Sequence, residues 1–222
     1  MEDIEIINLW KSNDKKINES ILLNRKNAEE ITKMKAQSLL SSMKPIKLFT
    51  VLVGILWVGL GMIVLSNIYF YAFGKANKFF LFSATIQVGL TAIALFIYLY
   101  QLILIYGVDL SKAILATQEK LTNLKSSTLW VARILFLQLP VWTTFYWNES
   151  MLENGNWFLW IIQGIVTLSL TYVAVWLFFN IKYENRNKKW FRLIFTGDEW
   201  TPVINSMELL SQIEEYRIDG KT

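Results

Sequence analysis

Between residues 79 and 106 the chain carries no charged side chain, and the same is true from 157 to 179. Two further runs are almost as clean: 46–68 holds only Lys47 and 128–147 only Arg133. A helix needs about 20 apolar residues to cross the hydrocarbon layer of a bilayer. All four runs reach that length without showing a polar face. The composition agrees: 54% of the chain is hydrophobic and only 18% charged, against roughly a quarter charged in a soluble domain. A core of 222 residues cannot hide four such runs from water, whereas a bilayer can. The fold class expected is all-α, a four-helix transmembrane bundle with spans at 46–68, 79–106, 128–147 and 157–179.

Orientation follows from where Lys and Arg fall in the connections. Residues 1–47 hold nine and the tail from 181 holds seven, five of them between Lys182 and Arg192. The loop 107–127 holds three, 69–78 two, and 148–156 none. Four spans put both termini on one side, and the basic ends make that side cytoplasmic. The expected localisation is the inner (plasma) membrane, multi-pass, N-in and C-in. The first run begins only at 46, behind a charged segment, so it reads as a signal anchor rather than a cleaved leader. Tyr69, Tyr71, Trp147, Trp157 and Trp160 fall at the outer boundary and Trp130 and Trp176 at the inner one, where amphipathic rings prefer to sit.

The rest of the chain divides accordingly. Residues 1–45 read as a cytoplasmic amphipathic helix that breaks near Pro45 before the first span. Within 46–180, residues 110–125 read as a short cytoplasmic helix between spans two and three, capped by Asp109 or Ser111. The tail 181–222 begins with Trp190 and Phe191 among Lys188, Lys189 and Arg192, a mixture suited to an anionic membrane surface. It continues as an amphipathic helix over 202–216. In the N-terminal helix Ile7, Trp10, Ile17, Ile21, Ala28 and Ile31 fall at 3–4 spacing, interrupted by Asp14 and Asn24. That stripe packs on the protein's own cytoplasmic helices, forms an oligomeric coiled coil, or binds a partner. Ile7, Trp10, Ile17 and Ile21 are the candidate partner-binding residues.

Chemistry is constrained by what the chain lacks. There is no Cys and no His, so thiolate chemistry is excluded and the commonest general base and metal ligand are missing. No acid lies within the four runs, which counts against proton-coupled transport. Arg133 sits close enough to the inner surface to snorkel. No phosphate loop, dinucleotide fingerprint or zinc spacing is present. No catalytic residue, metal ligand or cofactor, and no nucleic-acid partner, is expected. Gln87, Gln138 and Gln163 share a depth in the outer half of spans two, three and four. They read either as interhelical polar contacts or as the lining of a small cavity. Pro140 predicts a kink in span three, with Thr143 and Thr144 helping to resolve the disturbed backbone.

The opening Ile7-Asn8-Leu9-Trp10-Lys11-Ser12-Asn13-Asp14-Lys15-Lys16, with Gly107-Val108-Asp109-Leu110-Ser111 and Gln118-Glu119-Lys120-Leu121 in mid-chain, resembles small four-span inner-membrane proteins of Bacteroidota. Some of those are encoded beside extracytoplasmic-function sigma factors. The resemblance implies a regulatory, anti-sigma-like role and carries no site residues. The function expected is therefore a non-enzymatic regulatory or scaffold protein in the lipid bilayer, binding a cytoplasmic protein partner and able to form a homo-oligomer. The alternatives are an oligomeric channel or passive transporter with the glutamines lining a pore, and a lipid-modifying enzyme for which no residues stand out.

Overall fold

In the computed structural model, residues 2–107, 114–148, 151, 157–197, 201–202, 204–206 and 208–209 are described, and among them every regular element is helical. Helix α1 runs Glu2–Asn67 and ends in a π-helical turn, Ile68–Ala72. Helix α2 is Lys78–Gly107, α3 Ile114–Phe136, α4 Leu139–Thr144 and α5 Trp157–Asn180. A 3₁₀ turn at Tyr183–Asn185 leads to α6, Lys189–Phe195. Three helices, α1, α2 and α5, are long and apolar enough to cross a membrane. The 202–216 helix and the cap at Asp109 or Ser111 lie outside the described residues, apart from isolated helical positions between 202 and 209.

Two breaks expected from the sequence are absent. Helix α1 does not stop at Pro45 but passes through it. Proline removes one backbone donor and crowds the preceding turn. Here the packed seam continues unbroken on both sides: Ala36, Leu40, Met43, Lys47, Val51, Val58 and Leu65 are all buried. Those positions recur at spacings of three, four or seven residues, so one face of the helix stays against its neighbours from Ala36 to Leu65. Likewise the helix expected at 110–125 is not separate from span three, because α3 runs from Ile114 to Phe136. No Gly or Pro lies in that stretch. The Ser127 and Thr128 hydroxyls only bond back to the Leu124 carbonyl, at 2.9 and 2.7 Å.

The third apolar run does divide, at the place Pro140 dictates. Leu137 and Gln138 leave the α-helix, with the Gln138 amide donating to Leu135, and α4 restarts with Pro140 in its first turn. A proline there sacrifices only a donor that has no intrahelical partner. Division leaves α4 with six residues and confines the apolar part of α3 to 128–136, behind Glu119, Lys120 and Lys125, so neither piece alone is both long and apolar enough to cross a membrane.

Contacts nevertheless run the whole length of α2. Leu104 and Ile105 meet Leu121 and Leu124; Ala94 and Tyr98 meet Val131. Gln138 reaches Thr91, Ser83 pairs with Thr144, and Phe80 packs on Phe145. At the far end Asn77 caps α2 by accepting from the Phe79 amide while donating to the Trp147 carbonyl. The segment 121–147 is thus antiparallel to α2 over its full extent. Helix α5 is antiparallel to the same segment, from Trp160 beside Trp147, through Thr167 bonded to Thr143, to Ile181 beside Arg133.

Close approach of α1 to α2 depends on two glycines. A Cβ on Gly54 would lie 2.9 Å from Leu95 Cδ1, and one on Gly61 would lie 2.7 Å from Val88 Cγ2. At Gly59, on another face, it would meet nothing within 4 Å.

Candidate functional site

The N-terminal half of α1 projects beyond the bundle. Trp10 is 76% exposed, Ile17 53% and Ile21 57%, so none of the described residues covers them. Ile31 and Ala28 are exposed as well, while the side chain of Ile7 lies outside the described residues. No described residue of the protein's own cytoplasmic helices packs on Trp10, Ile17 or Ile21, and most of the 202–216 segment lies outside the described residues.

Helical phase explains why. At about 100° per residue, the stripe lies roughly 90° around α1 from the buried seam of Ala36, Leu40 and Met43. Extended toward the N-terminus, that seam becomes Glu29, Arg25, Leu22, Asn18 and Lys11, a face that is polar except for Leu22. Glu29 is half-buried and pairs with Lys33 at 2.8 Å. The apolar surface of the projecting half thus faces away from the side that leads into the bundle.

The three glutamines occupy different surroundings. Gln138 Nε2 donates to Thr91 Oγ1 at 3.0 Å, and Gln163 Nε2 donates to the Thr143 carbonyl at 2.7 Å. These bonds join the turn before α4 to α2, and α5 to α4. Thr143 and Thr167 add a hydroxyl pair at 2.9 Å, next to Pro140, whose carbonyl also accepts from Thr143. Gln87 is buried, yet its side-chain amide makes no hydrogen bond among the described residues. It lines a groove between α1, α2 and the end of the α4 segment.

Arg133 does not reach for water. Its Nε and Nη2 both donate to the Ile181 carbonyl, at 2.9 and 2.6 Å, and its guanidinium lies 5.1 Å from the Trp130 ring centroid. The charge thereby closes the C-terminal end of α5, where the helix dipole favours a cation.

Lys47, the one charge in the first apolar run, is fully buried, with its ammonium 4.4 Å from the ring centroid of Tyr98. Its place in the 3–4 series Leu40, Met43, Lys47, Val51 was the available signal. Gln101, one turn beyond Tyr98, is also fully buried, and neither of its amide atoms has a partner. Among the described residues no group of three His, Cys, Asp or Glu side chains is placed to hold a metal. Below the bundle, Trp190 packs on Trp176 at 5.0 Å while Phe191 and Phe195 are buried against Leu177 and Ile181. Helix α6 thus folds its aromatic side back onto the C-terminal parts of α3 and α5 and keeps Lys188, Lys189 and Arg192 outside.

No protein-family model, no curated protein and no solved structure matches this chain.

Proposed function

We propose that the protein is a non-enzymatic membrane scaffold of regulatory type, which crosses the plasma membrane four times and holds a soluble cytoplasmic protein on its projecting N-terminal helix. The observation that carries the reading is the exposure of Trp10, Ile17 and Ile21 on a face turned away from the bundle seam. A lone helix of this composition is marginal until its apolar face is covered. The fourth crossing is assigned to 128–147, the apolar part of a segment whose contacts match α2 from Leu104 down to Asn77 although Pro140 divides it. The basic residues of 1–47 and 182–192 place both termini in the cytoplasm.

An anti-sigma-like role is the specific form of regulation that the resemblance of 7–16 and 107–121 implies. The partner is then a transcription factor released from, or retained at, the membrane. The channel reading is weaker, because Gln138 and Gln163 spend their amide donors on Thr91 and on the Thr143 carbonyl inside one chain.

The test is co-purification in mild detergent of the intact chain beside its Trp10→Ala and Ile17→Ser/Ile21→Ser variants. Large aromatic anchors dominate contact energies. Trp10→Ala is expected to cost about 2 kcal/mol, which weakens association by more than about tenfold. Partner recovery unaltered by either variant would refute the assignment.

A further inference from the structure

Between α1, α2 and the end of the α4 segment lies a groove of about 290 Å³, open on its outer side and walled by Trp57, Leu60, Val64, Phe80 and Phe145. Gln87 forms part of its lining, is only 6% exposed, and has no hydrogen-bond partner for its amide among the described residues. Gly61 lets α1 approach α2 closely, and Val88 packed beside it forms the floor of the groove. The size is close to the lower limit for small-molecule sites, and the pattern is theirs too: apolar walls with one placed polar group.

Depth selects the occupant. Gln87 lies eight residues inside the start of the second span at 79, about 12 Å into a hydrocarbon layer of about 30 Å. An unsatisfied amide there is costly, since no water reaches it. Acyl tails can fill the walls but offer the amide nothing, because the ester oxygens of a glycerolipid stay at the boundary. A sterol-like hydroxyl stays there too. A partner for Gln87 must carry a weakly hydrated polar group about 12 Å below the boundary, and a ring carbonyl, which accepts from the amide, meets that demand. The aromatic rings of Trp57, Phe80 and Phe145 further suit a flat ring.

We infer that this groove binds a membrane-dissolved quinone, its ring seated among Trp57, Phe80 and Phe145 and one ring carbonyl accepting a hydrogen bond from the Gln87 amide. Only binding is inferred; no electron transfer is involved. The inference rests on α1 and α2 crossing the bilayer and is independent of the N-terminal helix.

The experiment uses the intact chain in nanodiscs of phosphatidylethanolamine and phosphatidylglycerol with a photoreactive azido-decylbenzoquinone. Adducts are expected on peptides containing 57–64 and 80–88. Excess decylbenzoquinone should displace them, and decylbenzene, which has the same chain without carbonyls, should not. Gln87→Leu should lower labelling about tenfold or more, as should Val64→Trp, which fills the groove from its lipid side. Competition by decylbenzene equal to that by the quinone, or labelling elsewhere, would overturn the inference whether or not the variants fold. So would undiminished labelling of Gln87→Leu. Trp10→Ala is expected to label like the parent, so a failed scaffold reading leaves this result standing.

Discussion

The Arg133 guanidinium and the Ile181 carbonyl are joined twice, at 2.9 and 2.6 Å, across a sequence separation of 48 residues. This one contact fixes where the last membrane-length helix ends against α3. It also orients the chain that turns into Tyr183–Asn185 and α6. Buried around it are Ala132, Leu177, Ile181, Phe191 and Phe195.

Replacing Arg133 with Leu should therefore destabilise the inner end of the bundle by about 1.5–3 kcal/mol, the range for a hydrogen bond to a charged group. Arg133→Lys should recover only part, because an ammonium lacks the planar fork that meets one carbonyl with two donors. Thermal unfolding in detergent, with proteolysis of the 182–197 region as local readout, checks both. Equal stability of parent and Leu variant would show that the contact contributes nothing.

Gly61→Ala should cost about 1–3 kcal/mol, as overpacking does. Its new methyl would meet Val88 Cγ2 at 2.7 Å, and a valine in a helix has essentially one χ1 rotamer to use. Gly59→Ala meets nothing within 4 Å and should be neutral or slightly stabilising. The pair, measured in one detergent, separates helix approach from helix propensity.

Gln138 and Thr91 invite a double-mutant cycle. Gln138→Leu and Thr91→Val should each cost about 1 kcal/mol or less, and the coupling between them should be about 0.6 kcal/mol, as for other interhelical bonds in membranes. A coupling of zero would mean the 3.0 Å contact does not form in lipid.

Lys125 supplies a pH dependence. Burial holds its pKa below the ordinary lysine value of 10.5, the nearby Arg186 lowers it further, and Glu184 partly offsets both. The unfolded chain then binds more protons than the folded one between the depressed pKa and 10.5, so stability rises with pH through that window. Lys125→Met should lack this rise, and the difference between the two denaturation profiles isolates it from other titrating groups.

Topology can be mapped with single cysteines, because the chain has no native one. Lys75→Cys should react with an impermeant reagent from outside. Asn13→Cys and Thr122→Cys, both at exposed positions, should react only after permeabilisation. Labelling of Thr122→Cys in intact cells would overturn the N-in orientation.

Apolar run length was enough to read the all-helical class and the three uninterrupted membrane-length helices. What it misjudged were the ends. Pro45 looked like a terminator because a local rule says so, but a packed seam on both sides outweighs one missing hydrogen bond. The division at Gln138 was readable only as a kink, since whether a proline bends or restarts a helix depends on its neighbours. Of the candidate residues, the glutamines were visible as rare polar groups in apolar runs. Their partners were not, because Thr91 and Thr143 are common in any helix. Lys47 was overlooked because its charge drew attention to the boundary rather than to its place in the buried series.

The uninterrupted course of α1 has a mechanical consequence. From Pro45 to Trp10 the helix spans about 52 Å at 1.5 Å per residue, with no joint where it leaves the bundle. A tilt of about 10° in the apolar half then sweeps Trp10 sideways by about 9 Å, an amplification that follows from the same helix geometry. Anything that alters the inclination of this rod in the lipid, including a change in bilayer thickness, is delivered undiminished to whatever grips its far end.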